Sequence, residues 1–123
     1  MQNFFLEDVE QWLDQAQIRY IAKVKFPGKT GLDHLFDFVI PKSSLQPERF
    51  IRTVNRPGSD VVKSVAFSWV DTKDERNKDT RAYAILNDSN GSVNQQILDA
   101  LKSYGVQPVL WSKREDVQSE LAA

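Results

Sequence analysis

The chain has 123 residues, 41% of them hydrophobic and 27% charged, with a formal net charge of −1. That size supports one domain, residues 1–123, around a single core, and the near-neutral charge does not favour tight, sequence-independent nucleic-acid binding. Cysteine is absent, His34 is the one histidine, and no apolar run approaches the ~20 residues of a membrane span; disulfides, thiol catalysis, Cys-based zinc sites and a multi-His metal site are thereby excluded.

The N-terminal stretch MQNFFLEDVEQWLD has no basic segment leading into an apolar one. No signal peptide is expected there, and a cytoplasmic protein is. Within residues 4–15, Phe5, Val9, Trp12 and Leu13 recur at helical spacing with acids opposite. This predicts an amphipathic helix with Asn3 as its N-cap. Residues 18–26 set Tyr20, Ala22, Val24 and Phe26 against Arg19, Ile21, Lys23 and Lys25, the alternation of a strand. Pro27 and Gly28 turn the chain, and residues 32–40 return as an antiparallel partner that Pro41 ends. On that second strand Phe36, Phe38 and Ile40 share one face, and Leu35, Asp37 and Val39 the other. A carboxylate between two apolar side chains is costly unless paired, hydrogen-bonded or metal-bound. Asp37 is therefore the first place to look for chemistry.

Residues 49–54 read as a third strand or as a short helix. Residues 60–76 are ambiguous in another way. As a helix capped by Ser59 or Asp60, they align Val61, Val62, Val65, Ala66, Trp69 and Val70, with Phe67 as the misfit. As a strand, they align Val65, Phe67 and Trp69. Length favours the helix. Residues 81–86 (RAYAIL) are a strand, followed by a polar loop at 87–91. Ser92 with Gln95 reads as a capping box for a helix that buries Ile97, Leu98 and Leu101. Gly105 stands at a left-handed C-cap, followed by apolar Val106. Residues 107–111 form a short strand. Ser112 with Glu115 reads as a second capping box, opening a terminal helix with Val117 and Leu121. Residues 81–111 are thus a β-α-β unit with two parallel strands. The fold class is α/β (α+β) with one mixed sheet in the order α-β-β-(β)-α-β-α-β-α. By analogy, that is the order of the restriction-endonuclease-like core, and a fold alone assigns no function.

A series of motifs runs through nearly the whole chain. It comprises FPGKTG and FDFVIP within residues 26–41, PERFI at 47–51, FSWVDTK with a following arginine at 67–76, YAILND at 83–88 and PVLWSKR at 108–114. In order and spacing this series resembles the bacterial and phage family called domain of unknown function 1829. The resemblance implies a prokaryotic or phage origin and a unit that usually follows a second uncharacterised domain. It brings no catalytic residues with it.

A magnesium nuclease of the analogous fold needs a metal-binding acid on the second strand and an acid-x-Lys pair on the third, to hold the ion and activate water. Asp37 fits the first role. Asp71 and Lys73 fit the second only if residues 60–76 are a strand; as a helix end, they form a solvated charged turn. Asp37 has a structural reading too, as an acid bonded to Arg49 or Lys73. His34 lies on the opposite face from Asp37 and reads as structural. Trp69 and Trp111 could stack bases, but they end apolar runs and suit a core or a partner surface better. Arg76, Arg81, Lys113 and Arg114 could form a small basic patch or a solvated face. Trp69, Arg76, Trp111 and Arg114 are the candidate anchors for a partner. Two functions follow. One is a non-catalytic protein-binding module in phage–host conflict, without a cofactor. The other is a magnesium-dependent nuclease on Asp37, Asp71 and Lys73. A protein partner is expected, nucleic acid is not favoured by charge, and no membrane is involved.

Overall fold

Alternating apolar residues build five strands that join in one sheet, β1-β2-β3-β4-β5, in the computed structural model, which describes residues 4–123. The elements are α1 (Phe5–Gln15), β1 (Ile21–Pro27), β2 (Asp33–Ile40), β3 (Arg49–Val54), α2 (Ser59–Lys73), β4 (Arg81–Leu86), α3 (Gln95–Ser103), β5 (Val106–Leu110), a 3-10 turn (Trp111–Lys113) and α4 (Glu115–Ala122). This is the expected mixed α/β order. Residues 49–54 are a strand, and the ambiguous segment after Ser59 is a helix. Strands β1 to β3 form an antiparallel meander, and β3, β4 and β5 run parallel. Among the described residues, no helix is long and apolar enough to cross a membrane.

Both sheet faces are covered. One core joins Phe5, Val9 and Leu13 of α1 and Val117 and Leu121 of α4 to Phe38, Ile51, Tyr83 and Val109. The other joins Val62, Val65 and Trp69 of α2 and Leu101 of α3 to Phe36, Phe50, Ala84 and Val106. The two β-α-β crossovers thus lay their helices on one face, leaving the other to the terminal helices. Phe50 sits at the middle of the α2 face, stacked on Phe26 at 4.7 Å and edge-on to Trp69 at 5.7 Å. Arg49, 1% exposed, donates to the Leu121 carbonyl of α4 at 3.2 Å and the Pro41 carbonyl at 3.1 Å. It also donates to the Glu120 carbonyl. A buried guanidinium thereby fixes the end of α4 to the end of β2, while burial lowers its pKa below the usual arginine value.

Several local expectations are corrected. The face assignment on β2 holds only in part. Phe38 and Ile40 face α1 and α4, whereas Phe36 faces the α2 side with Val39. The alternation resets at Asp37. The opposite residue, Lys23, takes a φ of 56° and is not registered as its partner. Strand β1 begins at Ile21 instead of residue 18, because the chain first closes α1. Gln17 adopts a φ of 57°, and the Ile18 N–H returns to the Leu13 carbonyl at 2.9 Å. This is a Schellman end, sealed by the apolar pair Leu13 and Ile18. The caps also differ. Gly58, with no side-chain bond, precedes α2, in place of Ser59 or Asp60. Asn94, in place of Ser92, caps α3 by accepting from the Gln96 N–H at 2.8 Å. Ser112 caps nothing, because it bonds Asp88. Arg114 precedes α4 with no side-chain cap. Trp111 follows β5 in the 3-10 turn. The expected cap Asn3 lies outside the described residues.

Gly105 does follow α3 in the left-handed region, at φ 82°. Gly105→Ala is expected to lower stability by about 1–2 kcal/mol, the left-handed penalty of a Cβ. Urea unfolding of both chains would register it as a lower midpoint at unchanged slope.

Candidate functional site

The tightest polar cluster lies between the β1–β2 turn and the end of α2. Asp71, 4% exposed, accepts from the Thr30 N–H at 3.0 Å, the Thr30 hydroxyl at 2.7 Å and His34 Nε2 at 2.7 Å. An ionised carboxylate has no proton to give, so His34 is the donor through Nε2. The Asp71 carbonyl also accepts from the Lys29 N–H at 2.7 Å. The Thr30 hydroxyl first, then His34, hold the Asp71 carboxyl below its ordinary value of 3.8, against the opposing effect of burial. Gly28 is required here: a Cβ on it would stand 2.0 Å from Asp71 Oδ2. The edge of the His34 ring meets Phe67 at 5.5 Å.

Asp37 has a different neighbourhood. Its Oδ2 accepts from the Thr53 N–H at 2.7 Å and the Thr53 hydroxyl at 3.1 Å, with Arg52 Nε at 4.0 Å. The β2–β3 register stops at Phe38 opposite Ile51. Beyond it, Thr53 would lack a ladder partner on this side, and the Asp37 side chain supplies one. The expected partners Arg49 and Lys73 are not the ones it takes.

Asp37 and Asp71 are therefore held by separate networks. Their anchoring positions on β2, His34 and Asp37 itself, lie three residues apart, about 10 Å of strand. Lys73 is two residues beyond Asp71 on a helix, a spacing that points side chains apart; only a strand would have aligned them. Among the described residues, no group of three or more His, Asp or Glu could hold a metal ion.

The candidate anchors are also engaged internally. Trp69 is 5% exposed, packed on Phe50. Trp111 meets Phe5 at 5.4 Å and Trp12 at 6.0 Å, and the Arg114 guanidinium covers its ring at 4.0 Å. Arg114 donates to the Trp111 carbonyl at 2.9 Å. Arg76 donates twice to Glu48 at 2.8 Å and lies over the Phe26 ring at 4.5 Å. Arg76 and Arg81 line one cleft, whereas Lys113 lines another, so the suggested basic patch is divided.

Sequence reasoning missed Thr30, Glu48, Thr53 and Asp88 as partners. Asp88 accepts from the Ser112 N–H at 3.0 Å and from its hydroxyl. The motifs meet in pairs: Thr30 with Asp71, Glu48 with Arg76, and Asp88 with Ser112. Their order along the chain was the available signal; which motif meets which was not.

Comparison with known proteins agrees with this fold and adds no activity. The family model described as "Domain of unknown function DUF1829" matches residues 28–114. A solved structure described as "Crystal Structure of Protein of Unknown Function AF1548" is similar with a TM-score of 0.65 at 14% identity. The match covers 98% of this chain and 65% of that one. A likeness at this identity concerns the fold alone. No curated protein matches.

Because the Asp71 carboxyl is depressed when folded, it stabilises the fold above its unfolded value near 3.8, and that contribution is lost as pH falls through the folded value. Asp71→Asn should be less stable than the parent at neutral pH, with the gap narrowing as pH drops below about 4. Melting temperatures from pH 7 to about pH 3 would measure this. Gly28→Ala must displace a carboxylate held by three hydrogen bonds. Combined with Asp71→Asn, it should cost clearly less than the sum of the two single changes in a double-mutant cycle.

Proposed function

From the premise that the chain belongs to the DUF1829 family, which carries no assigned activity, we propose that it is a non-catalytic protein-binding or accessory module. The observation that carries this reading is the internal pairing of the motif residues. Asp71, Glu48 and Asp88 each spend their oxygens on a donor from another motif, and Asp37 spends its own on Thr53. Such pairs hold elements together and leave no carboxylates converging on one ion. A net charge of −1 supports a protein partner over a polyanion. Phe67 and Tyr104, 48% and 54% exposed, are aromatic side chains of the kind that anchor protein interfaces. The setting we infer is a bacterial or phage accessory protein acting in phage–host conflict, on a scaffold whose element order resembles a nuclease core.

The reading is tested by titrating the chain with magnesium and manganese, followed by calorimetry and NMR, and by incubation with plasmid and single-stranded DNA. Asp37→Asn serves as the control because it keeps an oxygen for the Thr53 N–H. No saturable metal binding and no cleavage is the expected result. Cleavage by the parent that Asp37→Asn abolishes would establish the nuclease instead. In parallel, immobilised chain is expected to retain a protein partner that Phe67→Ser or Tyr104→Ser releases.

A further inference from the structure

A cleft of about 590 Å³ opens at the edge where α2 ends and where β4 and β5 begin. It lies away from Asp37 and does not include Asp71. Its size falls in the range of small-ligand sites. Four cations line it, Lys73, Arg76, Lys78 and Arg81, against one acid, Asp74. Two of these are already engaged: Arg76 by Glu48, and Arg81 by Glu120 at 3.7 Å. Lys73 and Lys78 make no ion pair among the described residues. Thr80 also lines the cleft. It is 7% exposed, and its buried hydroxyl has no hydrogen-bond partner among the described residues. Gln107 adds an amide to the wall.

Two helices end here, and free helix C-termini would favour a cation. Four carbonyls of their last turns are occupied, however. Those of Thr72 and Lys73 accept from the N–H groups of Glu75 and Arg76, and those of Leu101 and Lys102 from Tyr104 and Gly105. With a single carboxylate and no free carbonyl row, the cleft is a poor host for a metal ion. Two lysines without an ion pair, lining one cleft, suit an anion with several acceptor oxygens, and phosphate is that anion. An extended polyanion fits less well, because Asp74, Glu75 and Asp79 are interspersed in sequence with Lys73, Arg76, Lys78 and Arg81.

We propose that this cleft binds the phosphate of a small phosphorylated molecule, held by Lys73 and Lys78. The site is independent of the protein-binding reading above, and its failure would leave the metal and cleavage results untouched.

The test titrates the full chain with inorganic pyrophosphate and, separately, with adenosine diphosphate, followed by amide NMR shifts. Saturable shifts confined to residues 73–82 and 105–107 are expected with both probes. The exposed double variant Lys73→Gln/Lys78→Gln should keep the fold, judged by circular dichroism, and weaken binding about tenfold or more. Equal affinities for the two probes would assign recognition to the phosphate alone, and tighter adenosine diphosphate would assign it to a nucleotide; both support the site. No saturation by about 10 mM, or unchanged affinity in the double variant, would overturn it. Tighter binding of a phosphoserine peptide or a thymidine oligonucleotide than of either small probe would also overturn it.

Discussion

A carboxylate taken out of water must be met by donors, and much of this fold is arranged around meeting one. Asp71 stands at the end of α2, where its oxygens face the turn that joins β1 to β2. Thr30 and His34 supply three hydrogen bonds to it, and Gly28 supplies the room. Removing any one donor would leave part of a charge unsatisfied in a low-dielectric place, a larger loss than the net value of a bond. The crossover helix, the hairpin turn and the second strand are therefore positioned together. Charge here is a tertiary constraint before it is chemistry.

The same logic recurs at the other polar junctions. Arg49 is almost wholly buried and is answered by backbone carbonyls at the ends of β2 and α4, so it ties α4 to the sheet without a carboxylate. Arg76 and Glu48 join the loop after α2 to the entry of β3. Asp88 and Ser112 join the exits of β4 and β5. The last two junctions cross between segments that are distant in sequence and brought together by neighbouring strands.

The sheet's edges follow familiar constraints. Strand β1 is an edge strand interrupted at Lys23, with a second lysine at Lys25; β5 is the other edge and carries Pro108. Lysines, an irregular residue and a proline each make an exposed edge a poor template for another chain.

Read from its amino acids alone, the chain determines its class and most of its elements. The apolar run at 81–86, the 3.6-residue stripe of α1 and the glycine after α3 are local signals, and they persisted because burial acts where such patterns point. The order of strands and helices was legible for that reason, and so was the suspicion that Asp37 could not stand unpartnered; Asp71, expected in a solvated turn if its segment was helical, is instead buried at the end of that helix. The alternation read over 18–26 gave a strand but not its faces: Tyr20 packs on the α1 side and Val24 and Phe26 on the α2 side. Partners were not legible. A hydrogen bond between Thr30 and Asp71, or Asp37 and Thr53, joins residues 41 or 16 positions apart and leaves no periodic trace. The reset of alternation at Asp37 was equally hidden, because it depends on a left-handed Lys23 across the hairpin. Caps were misplaced where Ser112 could bond either a helix start or a neighbouring loop, and only the packed sheet brings Asp88 within its reach. Residue type and spacing determined which groups need company; the three-dimensional packing alone decided the company, because proximity across the sheet is not a property of the chain's order.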